Sequence, residues 1–373
     1  MKVLIYAEAW GNGGIESFIK NELRCLASQK NISFDLFSVW TYNSPGIELN
    51  ICGLNKAVSV FCGRKPNLIV RSIRGAFSFY KLLKSEQYDC VHVNTMNGMG
   101  LIYAWLARLA NVRVRLVHSH NSDFGNGFRG IKSVVHAAGK LLWGSSATIR
   151  IACSKKAGEY LFGDHPFTVI NNGIDTSKYC FSREKREFIR NQFSVEDHTL
   201  LVGSIGRISE QKNPIFQLEV FSSLLRKTND AVFLVVGDGD MRTMCEEKAE
   251  ELGLSSKVHF VGAVDDTSGY YSALDCMVMP SLFEGLPLAL VEAQCEGLHV
   301  VCSETISSEG IFTGLVRQLS LESNPEIWAR AVLDIDSNVS FRTHFDQATI
   351  DAGFSDREVA KTLLNLYGLD GGC

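Results

Sequence analysis

The sequence predicts an α/β protein with two parallel, doubly wound β-sheets, and three observations indicate this class. The chain of 373 residues is long enough for two domains of ordinary size. Short apolar runs that suit buried strands alternate with stretches of helical periodicity, which is the pattern of a parallel sheet. The alternation restarts after residue 165, so we expect a second sheet there.

The first half begins with an apolar run at 2–7, typical of a buried strand, and a glycine turn that leads into a helix within residues 11–27. Further runs of the same kinds complete this half: strands at 33–39, 89–93 and 113–118, and a helix at 99–110.

The second half alternates more regularly. It predicts strands at 168–170, 200–205, 231–236, 258–261, 276–279 and 299–303, and helices at 215–227, 241–252, 270–274 and 286–294. A last helix at 356–367 follows an irregular stretch. We therefore expect a first domain at 1–165, a second at 166–355, and a C-terminal helix at 356–373 that returns to the first domain. Such sheets bind ligands beyond the carboxyl ends of their strands.

Composition excludes several classes of protein. With 46% hydrophobic and 21% charged residues, the chain is neither disordered nor fibrous. No run reaches the ~18 apolar residues of a membrane-spanning helix. The N-terminus lacks the long apolar region of a signal peptide, which predicts a mature cytosolic N-terminus. The eleven cysteines show neither a C-x-x-C pair nor zinc-ligand spacing, which favours reduced, mostly buried thiols.

The segment 280–292 carries the most chemical information. It follows a buried strand and opens a helix, and Pro287 suits the first helical turn. Glu284 then lies in the turn and Glu292 about two turns further along. The helix start offers backbone N–H groups to an anion, those of Gly285, Leu286 and Leu288. A phosphate between carboxylates would suit a nucleotide sugar. The alternative is that Glu284 caps the helix and Glu292 is solvated.

A second segment, 203–214, also follows a strand and precedes a helix. Arg207 and Lys212 flank its glycine-bearing turn. Arg binds phosphate in bidentate fashion and Lys adds a point charge, so the pair indicates a phosphate site. A third turn, 236–240, follows the next strand, and Gly237 would permit a close ligand approach there. An ordinary turn explains Gly237 equally well.

In this order, the three segments resemble the nucleotide-sugar glycosyltransferases of the GT-B type, family 4. Glu284 and Glu292 meet the family's E-x7-E spacing, and 206–213 meets its Gly-Arg…Lys-Asn segment. GGIESFI resembles the N-terminal Gly-Gly turn, and NGID at 172–175 resembles the signature at the domain joint. YDCVHVNTMNG and VRLVHSHNSDF are similar to the branch that builds capsular and extracellular polysaccharide. The resemblance covers essentially the whole chain and implies two Rossmann-like domains that face each other across a cleft.

The resemblance implies roles in the second domain. Arg207 and Lys212 would hold the donor diphosphate and stabilise the leaving nucleoside diphosphate. Glu292 would accept hydrogen bonds from the ribose hydroxyls. Glu284, helped by the amides of Gly285 and Leu286, would hold the hydroxyls of the transferred sugar.

In the first domain, the resemblance implies that Gly13 and Gly14 let the first loop approach donor phosphate and acceptor closely. The family usually has a His at a strand end, facing the donor sugar. Here that strand ends at His118-Ser-His120-Asn121, and Asn121 departs from the His-Asp of many relatives. We favour His120 over His118. The alternative is a histidine with a purely structural hydrogen bond.

The family retains the anomeric configuration, and no residue here is an obvious covalent nucleophile. The resemblance therefore implies a front-face reaction in which the leaving phosphate oxygen accepts the acceptor's proton. Asp238 and Asp240 match the D-x-D of the other major transferase fold, where it binds a metal. Two βα halves and the remaining motifs disfavour that alternative. We expect no metal and no cofactor, with a nucleotide sugar, UDP-linked, as co-substrate.

Charge is divided unevenly along the chain. Residues 1–180 have 21 Lys and Arg against 11 Asp and Glu, a net charge of +10, whereas the rest has 16 against 30, a net of −14. Seven cations and no acid at 56–84 alternate with apolar residues, which suggests an amphipathic helix, with or without its preceding loop. An anionic membrane surface that bears a lipid-pyrophosphate-linked glycan suits this half. We therefore expect a cytoplasmic protein bound peripherally to the inner face of the cell membrane.

Three alternatives remain at this point. The basic helix could simply pack its apolar face on its own sheet. The fold could serve a GT-B-type epimerase or phosphorylase instead of a transferase. A pseudo-transferase that binds a partner enzyme is also consistent, although it would have no need of the four charged residues. Nucleic acid is disfavoured as a partner because no aromatic–basic RNA motif or recognition helix is present.

Overall fold

The structure is a computed structural model. It describes residues 1–11, 14–26, 29, 31–41, 53–63, 65–121, 129–284, 286–336 and 338–368. The chain forms two compact units: the first comprises Met1–Gly173 and Asp356–Cys373, and the second comprises Ile174–Ser355. No helix within the described ranges is long and apolar enough to cross a membrane.

The sheet of the first unit contains seven parallel strands: β1 (Lys2–Trp10), β2 (Ser33–Thr41), β3 (Lys56–Cys62), β4 (Cys90–Thr95), β5 (Val114–Ser119), β6 (Ile149–Ala152) and β7 (Thr168–Val169). Their order is β3-β2-β1-β4-β5-β6-β7, so the direction of winding reverses between β1 and β4. Alternate residues of β1 enter different cores, Leu4 and Tyr6 on one face and Val3 and Ile5 on the other. Burial on both faces explains the continuous apolar run.

Helices cover both faces of this sheet: α1 (Gly14–Leu26), α2 (Leu68–Ser85), α3 (Leu101–Leu109), α4 (Arg129–Trp143) and α5 (Lys155–Phe162). Phe79 of α2 and Ala104 of α3 pack in one core, and Phe18 and Leu23 of α1 pack in the other.

The second unit has a six-stranded parallel sheet in the order β10-β9-β8-β11-β12-β13. Its strands are β8 (Leu200–Ile205), β9 (Ala231–Val236), β10 (Val258–Gly262), β11 (Cys276–Met279), β12 (His299–Ser303) and β13 (Val316–Leu319). Its helices are α6 (Arg183–Gln192), α7 (Pro214–Leu225), α8 (Arg242–Glu251), α9 (Ser268–Ala273), α10 (Leu288–Cys295), α11 (Pro325–Leu333) and α12 (Phe345–Asp351). Winding reverses between β8 and β11, and this point positions the loops described below.

The last helix, α13 (Asp356–Tyr367), belongs to the first unit. Val359 and Leu363 are buried in the core on the α1 side of the first sheet. The hydroxyl of Tyr367 lies 2.8 Å from Nδ1 of His92 on β4. Residues from the two ends of the chain therefore complete one core.

The assignment of 168–170 to the second domain was wrong. Residues of β7 pair in parallel with β6 at Ile151↔Thr168 and Ala152↔Val169, so this strand extends the first sheet. The division between the units falls at Gly173, inside the predicted NGID signature. Both residues of β7 are exposed, so the strand shows no apolar pattern that would assign it to the first sheet. The predicted start of the second domain is therefore too early in the chain.

Residues 56–62 also differ from the prediction, because they form β3 at the edge of the first sheet and not a helix or loop. The amphipathic helix is α2 alone. Several further elements were not predicted: β6, α4, α5, α6, β13, α11 and α12. Both of the strands, β6 and β13, have four residues and half-buried positions, so their pattern is too short to detect.

Candidate functional site

The loops after β8 and β11 lie at the reversal point of the second sheet. The first loop begins at Gly206 and the second at Pro280, each directly after its strand. Open α/β sheets bind ligands beyond the carboxyl ends of the strands at such a point. The two segments that the sequence singled out for phosphate and sugar are therefore neighbours.

An ion pair joins the two loops. Nζ of Lys212 lies 2.5 Å from Oε1 of Glu284, and the two side chains are 21% and 8% exposed. Nε2 of Gln211 donates to the other carboxylate oxygen at 3.2 Å and to the carbonyl of Phe283 at 3.0 Å. The N–H of Leu282 donates in turn to the carbonyl of Gln211 at 2.8 Å. Glu284 is thus held in one orientation by side chains from the neighbouring loop.

Arg207 is far more open than Lys212. Its Nη2 lies 3.9 Å from Oδ1 of Asp240, and the two side chains are 75% and 69% exposed. A pair this exposed contributes little to stability, so the guanidinium can exchange it for a ligand at small cost. Asp238, the other acid of the D-x-D triplet, lies 4.0 Å from Arg242 and accepts a hydrogen bond from Gly239. The two carboxylates therefore face different arginines.

Glu292 lies in α10 and accepts a hydrogen bond from the hydroxyl of Tyr271 at 2.7 Å. Burial raises the pKa of Glu292, while hydrogen bonds from Tyr271 and Tyr179 and the charges of Lys178 and Lys212 oppose the rise. Tyr271 is fully buried. The charge of Lys212 therefore acts on Glu292 as well as on Glu284, although only Glu284 is in contact with the lysine.

Two glycines allow the loops after β8 and β9 to touch. Gly206 has φ of 141° and Gly237 has φ of 137°, values that side chains rarely permit. A Cβ on Gly237 would lie 1.9 Å from the carbonyl oxygen of Gly206. In this structure, glycine is required at position 237 because two backbones approach each other closely there. The predicted contact of Gly237 with the donor remains a prediction.

The start of α10 lies two residues later than predicted. The helix begins at Leu288, and Pro287 precedes it with extended backbone. Leu286 is half-buried next to the packed residues Phe354 and Val291. Gly285 lies outside the described residues. Leu286 and Leu288 thus flank the N-terminal end of the helix, the position at which backbone N–H groups lack helical partners.

Two histidines of the first unit, His118 and His120, lie together at the end of β5. The ring of His118 lies 3.9 Å from that of His120, and it packs edge-on against Phe18. His118 is fully buried and neither ring nitrogen has a hydrogen-bond partner. His120 is half-buried, and its Nε2 lies 2.8 Å from Oδ1 of Asn94. The position at the strand end and the partial exposure suit His120 better than His118 for contact with a ligand.

Both histidines are held neutral. Burial is the main cause, and it lowers the pKa of His120 to about 3 and that of His118 well below its usual range. A neutral imidazole can donate or accept a hydrogen bond but does not carry a proton into the site at neutral pH.

The glycine turn before α1 is described only in part. Gly14 begins α1 and is exposed, and a Cβ added to it would meet no atom within 4 Å. Packing within the first unit therefore does not require glycine at this position. Gly13 lies outside the described residues, so the predicted approach of this turn to the donor stays a prediction.

Three residues at this site were given no role from the sequence, although Gln211 lies inside the segment 206–213. Gln211 orients Glu284, Tyr271 orients Glu292, and Glu296 lies one turn beyond Glu292 in the same helical region. Glu296 is fully buried, its Oε2 accepts from Ser272, and burial raises its pKa to about 7. The sequence signal for Tyr271 and Glu296 was only a polar group within an apolar stretch, which is common.

Comparison with known proteins agrees with these features. Residues 12–178 match the family model Glycosyltransferase Family 4, and residues 185–351 match the model Glycosyl transferases group 1. Glycosyltransferase EpsF of Bacillus subtilis (strain 168) is 28% identical over 99% of this chain and 96% of its own length. A UDP-Gal:alpha-D-GlcNAc-diphosphoundecaprenol alpha-1,3-galactosyltransferase of Escherichia coli is 28% identical over 63% of this chain and 62% of its own length.

A solved structure shares the fold. HepE of Anabaena, determined in complex with UDP and glucose, superimposes with a TM-score of 0.75 at 17% identity and covers 98% of both chains. Both family models are matched, one after the other, along a chain with two doubly wound sheets. This chain therefore belongs to the GT-B glycosyltransferases that join a family 4 domain to a group 1 domain.

Proposed function

We propose that this protein transfers a hexose or N-acetylhexosamine from a UDP-linked sugar to a lipid-linked saccharide during surface polysaccharide biosynthesis, with retention of the anomeric configuration. The observation that carries the proposal is the Lys212–Glu284 pair at the reversal point of the second sheet. A cation for phosphate and a carboxylate for sugar hydroxyls meet there at 2.5 Å. The UDP and glucose bound by HepE, and the diphosphoundecaprenol acceptor in the name of the Escherichia coli relative, support the choice of substrates.

In the proposed reaction, Arg207 and Lys212 bind the donor diphosphate. When Lys212 turns to the phosphate, Glu284 exchanges its cation for hydroxyl groups of the sugar, and Gln211 keeps the carboxylate in place. The bond from the anomeric carbon to the phosphate oxygen breaks, and the two cations stabilise the charge left on UDP. The acceptor hydroxyl attacks from the same face, and its proton passes to the departing phosphate oxygen. His120 is neutral and positions the sugar by a hydrogen bond.

Glu292 takes the ribose of the donor in this proposal. A carboxylate in α10 that already accepts from Tyr271 has a second oxygen for ribose hydroxyls. The two carboxylates therefore separate two tasks: Glu292 serves nucleotide binding and Glu284 serves the transferred sugar. The diphosphate charge is met by two side-chain cations and the start of α10, so the reaction is proposed to need no divalent metal.

The proposed location is the cytoplasmic face of the membrane, bound at its surface. Neither α2 nor α4 contains an acidic residue, and both expose large apolar side chains. Basic helices with an apolar face bind anionic lipid surfaces. The acceptor and the donor would then meet where the lipid-linked saccharide is anchored.

The test is a transfer assay with UDP-glucose, UDP-galactose, UDP-N-acetylglucosamine and UDP-N-acetylgalactosamine, each with and without a diphosphate-lipid-linked saccharide. We expect one or more donors to yield a product of retained configuration by NMR, and Glu284→Ala to lower kcat while Glu292→Ala lowers UDP affinity. The control is Glu247→Ala, at an exposed glutamate of α8.

Other outcomes point to the alternatives. Conversion of the donor without any saccharide acceptor would indicate an epimerase or phosphorylase. Absence of UDP binding by calorimetry would contradict both enzymes and leave the pseudo-transferase. Equal loss of UDP affinity in Glu284→Ala and Glu292→Ala would contradict the division of tasks.

A further inference from the structure

A cavity of about 370 Å³ lies at the carboxyl edge of the first sheet. Its lining combines deeply buried and exposed residues, which define a base and a rim. Tyr6 of β1 and Tyr103 of α3 are 2% and 5% exposed and form the base. Leu68 of α2 and Val135 of α4 are 65% and 40% exposed and form the rim. The cavity therefore extends inward from a surface between two helices.

The interior of this cavity is lined mainly by apolar atoms. The rings of Tyr6 and Tyr103 stack at 3.8 Å, and Met99 and Ile102 line the wall beside them. Several polar groups on the wall already have partners, among them His136 and Asn97. Nδ1 of His136 accepts from the N–H of Gly98 at 3.0 Å, and its Nε2 lies 3.1 Å from a backbone carbonyl.

The one charged pair described in the wall is internally satisfied. Arg71 lies 2.8 Å from Glu8, and its side chain is 13% exposed. A sugar would need hydrogen-bond partners for each buried hydroxyl, because an unpaired polar group in such a site costs free energy. A hydrocarbon chain has no such requirement. The lining thus favours a hydrocarbon over a saccharide.

The surface around the rim points to the same chemistry. Of eighteen exposed large apolar residues in the described chain, nine lie on these two helices: Leu68, Ile69, Val70, Ile73 and Phe77 on α2, and Val134, Val135, Leu141 and Leu142 on α4. Basic residues lie among them and acidic residues do not. Exposed apolar clusters of this kind mark interaction sites, and the charge selects an anionic partner.

We propose that this cavity binds the first prenyl units of the acceptor lipid, next to its diphosphate. A prenyl diphosphate matches both parts of the cavity. Its hydrocarbon chain suits the apolar base, and its diphosphate suits the basic helices at the rim. Lys132 lines the rim on α4 and is exposed. This inference rests on the proposed function and specifies which part of the acceptor the first unit recognises.

The test measures binding of farnesyl diphosphate by calorimetry in saturating UDP, which occupies the donor phosphate site. Val135→Asp places a carboxylate on the cavity wall, and we expect at least tenfold weaker binding. Val134→Asp is the matched control, because Val134 neighbours Val135, is 70% exposed, and does not line the cavity. It should bind farnesyl diphosphate as the wild type does, and inorganic diphosphate should bind at least tenfold more weakly than farnesyl diphosphate.

A second variant tests binding in the cavity without introducing a charge. Ser72 is exposed and lines the cavity, so Ser72→Trp fills the space without changing the net charge. We expect this variant to lose affinity for farnesyl diphosphate more than for the shorter geranyl diphosphate. Circular dichroism and thermal unfolding check that each variant is folded.

Several results would overturn the inference. Equal affinity in wild type, Val135→Asp and Ser72→Trp would show that the cavity is not the site. An equal loss in Val134→Asp would assign binding to the open apolar surface, as for a lipid bilayer or an apolar segment of a partner protein. This outcome can be separated from the proposed function, because farnesyl diphosphate binding requires no sugar transfer. Binding of farnesyl diphosphate without any transfer activity would contradict the proposed function alone. Transfer activity that does not depend on the length of the prenyl chain would contradict this inference alone.

Discussion

The two sheets present different chemistry at the points where their winding reverses. In the second unit, the loops after β8 and β11 contain Arg207, Lys212 and Glu284, with the lysine and the glutamate in contact, and Glu292 lies in the helix that follows the second loop. In the first unit, neutral histidines and an apolar cavity occupy the carboxyl edge beside β1, β4 and β5. The same architecture thus carries a charged loop site on one sheet and a cavity with a mainly apolar lining on the other.

This difference indicates how recognition is divided. A charged group is effective toward phosphate when it meets the ligand on a preorganised loop, whereas a hydrocarbon or a neutral hydroxyl needs a site without competing charge. The net charges of the two halves do not predict this, because the first half is the basic one. Cations such as Arg74, Lys81 and Lys84 lie on the surface of α2, and the two histidines at the end of β5 are neutral.

The largest effect should come from removing the cations of the second unit. We expect Arg207→Ala and Lys212→Ala each to lower kcat at least tenfold, since one lost contact to the leaving group is worth roughly 2–4 kcal/mol of transition-state stabilisation. Steady-state kinetics measures this, and thermal unfolding should show little loss of stability. Lys227→Ala, at an exposed lysine after α7, is the control. Wild-type rates in both variants would contradict a diphosphate site at this loop.

Each unit also buries a carboxyl group, and the comparison predicts a pH effect. Burial raises the pKa of Glu296 to about 7 and that of Glu22 well above its usual value. A group whose folded pKa is raised stabilises the protein below its unfolded pKa, and that stability is lost as the pH rises through the folded pKa. For Glu296 the window runs from about 4.5 to about 7. The difference corresponds to roughly 3 kcal/mol.

Glu296→Gln should therefore flatten the fall in unfolding free energy between pH 5 and 7, and Glu22→Gln should act in the same direction. Denaturant unfolding at a series of pH values measures both. The control is Glu247→Gln, at an exposed position, which should leave the pH dependence unchanged. A slope in Glu296→Gln equal to that of the wild type would mean that Glu296 is ionised throughout.

The surface of the first unit should bind anionic vesicles in a salt-dependent way. Three exposed cations of α2, Arg74, Lys81 and Lys84, are suitable for charge reversal to Glu, whereas Arg71 is not because it pairs with Glu8. At about 1 kcal/mol for each residue near the lipid, the triple change should weaken binding at least a hundredfold. Co-sedimentation with vesicles over a range of salt concentrations measures this. Equal sedimentation of the two proteins would indicate that this face does not meet the membrane.

A smaller effect is expected for the hydrogen bond that orients Glu292. Tyr271→Phe removes the hydroxyl that donates at 2.7 Å and leaves the buried ring in place. A hydrogen bond of this kind contributes about 1 kcal/mol, so UDP affinity should fall about fivefold with little change in kcat. Calorimetry with UDP gives the affinity. Tyr270→Phe is the matched control on the same helix, and an equal change there would contradict a specific role for Tyr271.

The smallest effect is expected for chelation. Activity should survive EDTA, because the cations of the second unit meet the diphosphate charge without a divalent ion. The carboxylates of Asp238 and Asp240 lie 4.0 and 3.9 Å from Arg242 and Arg207, so each already has a cation other than a metal beside it. The measurement is the transfer rate before and after EDTA. If EDTA abolishes activity and Mn²⁺ or Mg²⁺ restores it, the result would indicate that Asp238 and Asp240 bind a metal ion.

The sequence predicted the second unit more accurately than the first, for a physical reason. β9, β11 and β12 match their predicted bounds because each is a run of buried residues between polar turns. β7 was predicted as a strand but assigned to the wrong domain, and α4, which exposes most of its residues, was not predicted. The lysine and the glutamates were predictable because short segments contain them, whereas Gln211, Tyr271 and the cavity depend on contacts between distant segments.

The position of α13 has a consequence for how the protein is made. Val359, Leu363 and Tyr367 complete the core that α1 begins, yet the ribosome adds them after every residue of the second unit. Until they emerge, the first unit exposes Phe18, Leu23 and their neighbours to solvent. The second unit, whose residues are contiguous, can fold during synthesis, because domains fold as units once their residues are available. Folding of this chain should therefore end with its first unit, against the order of translation.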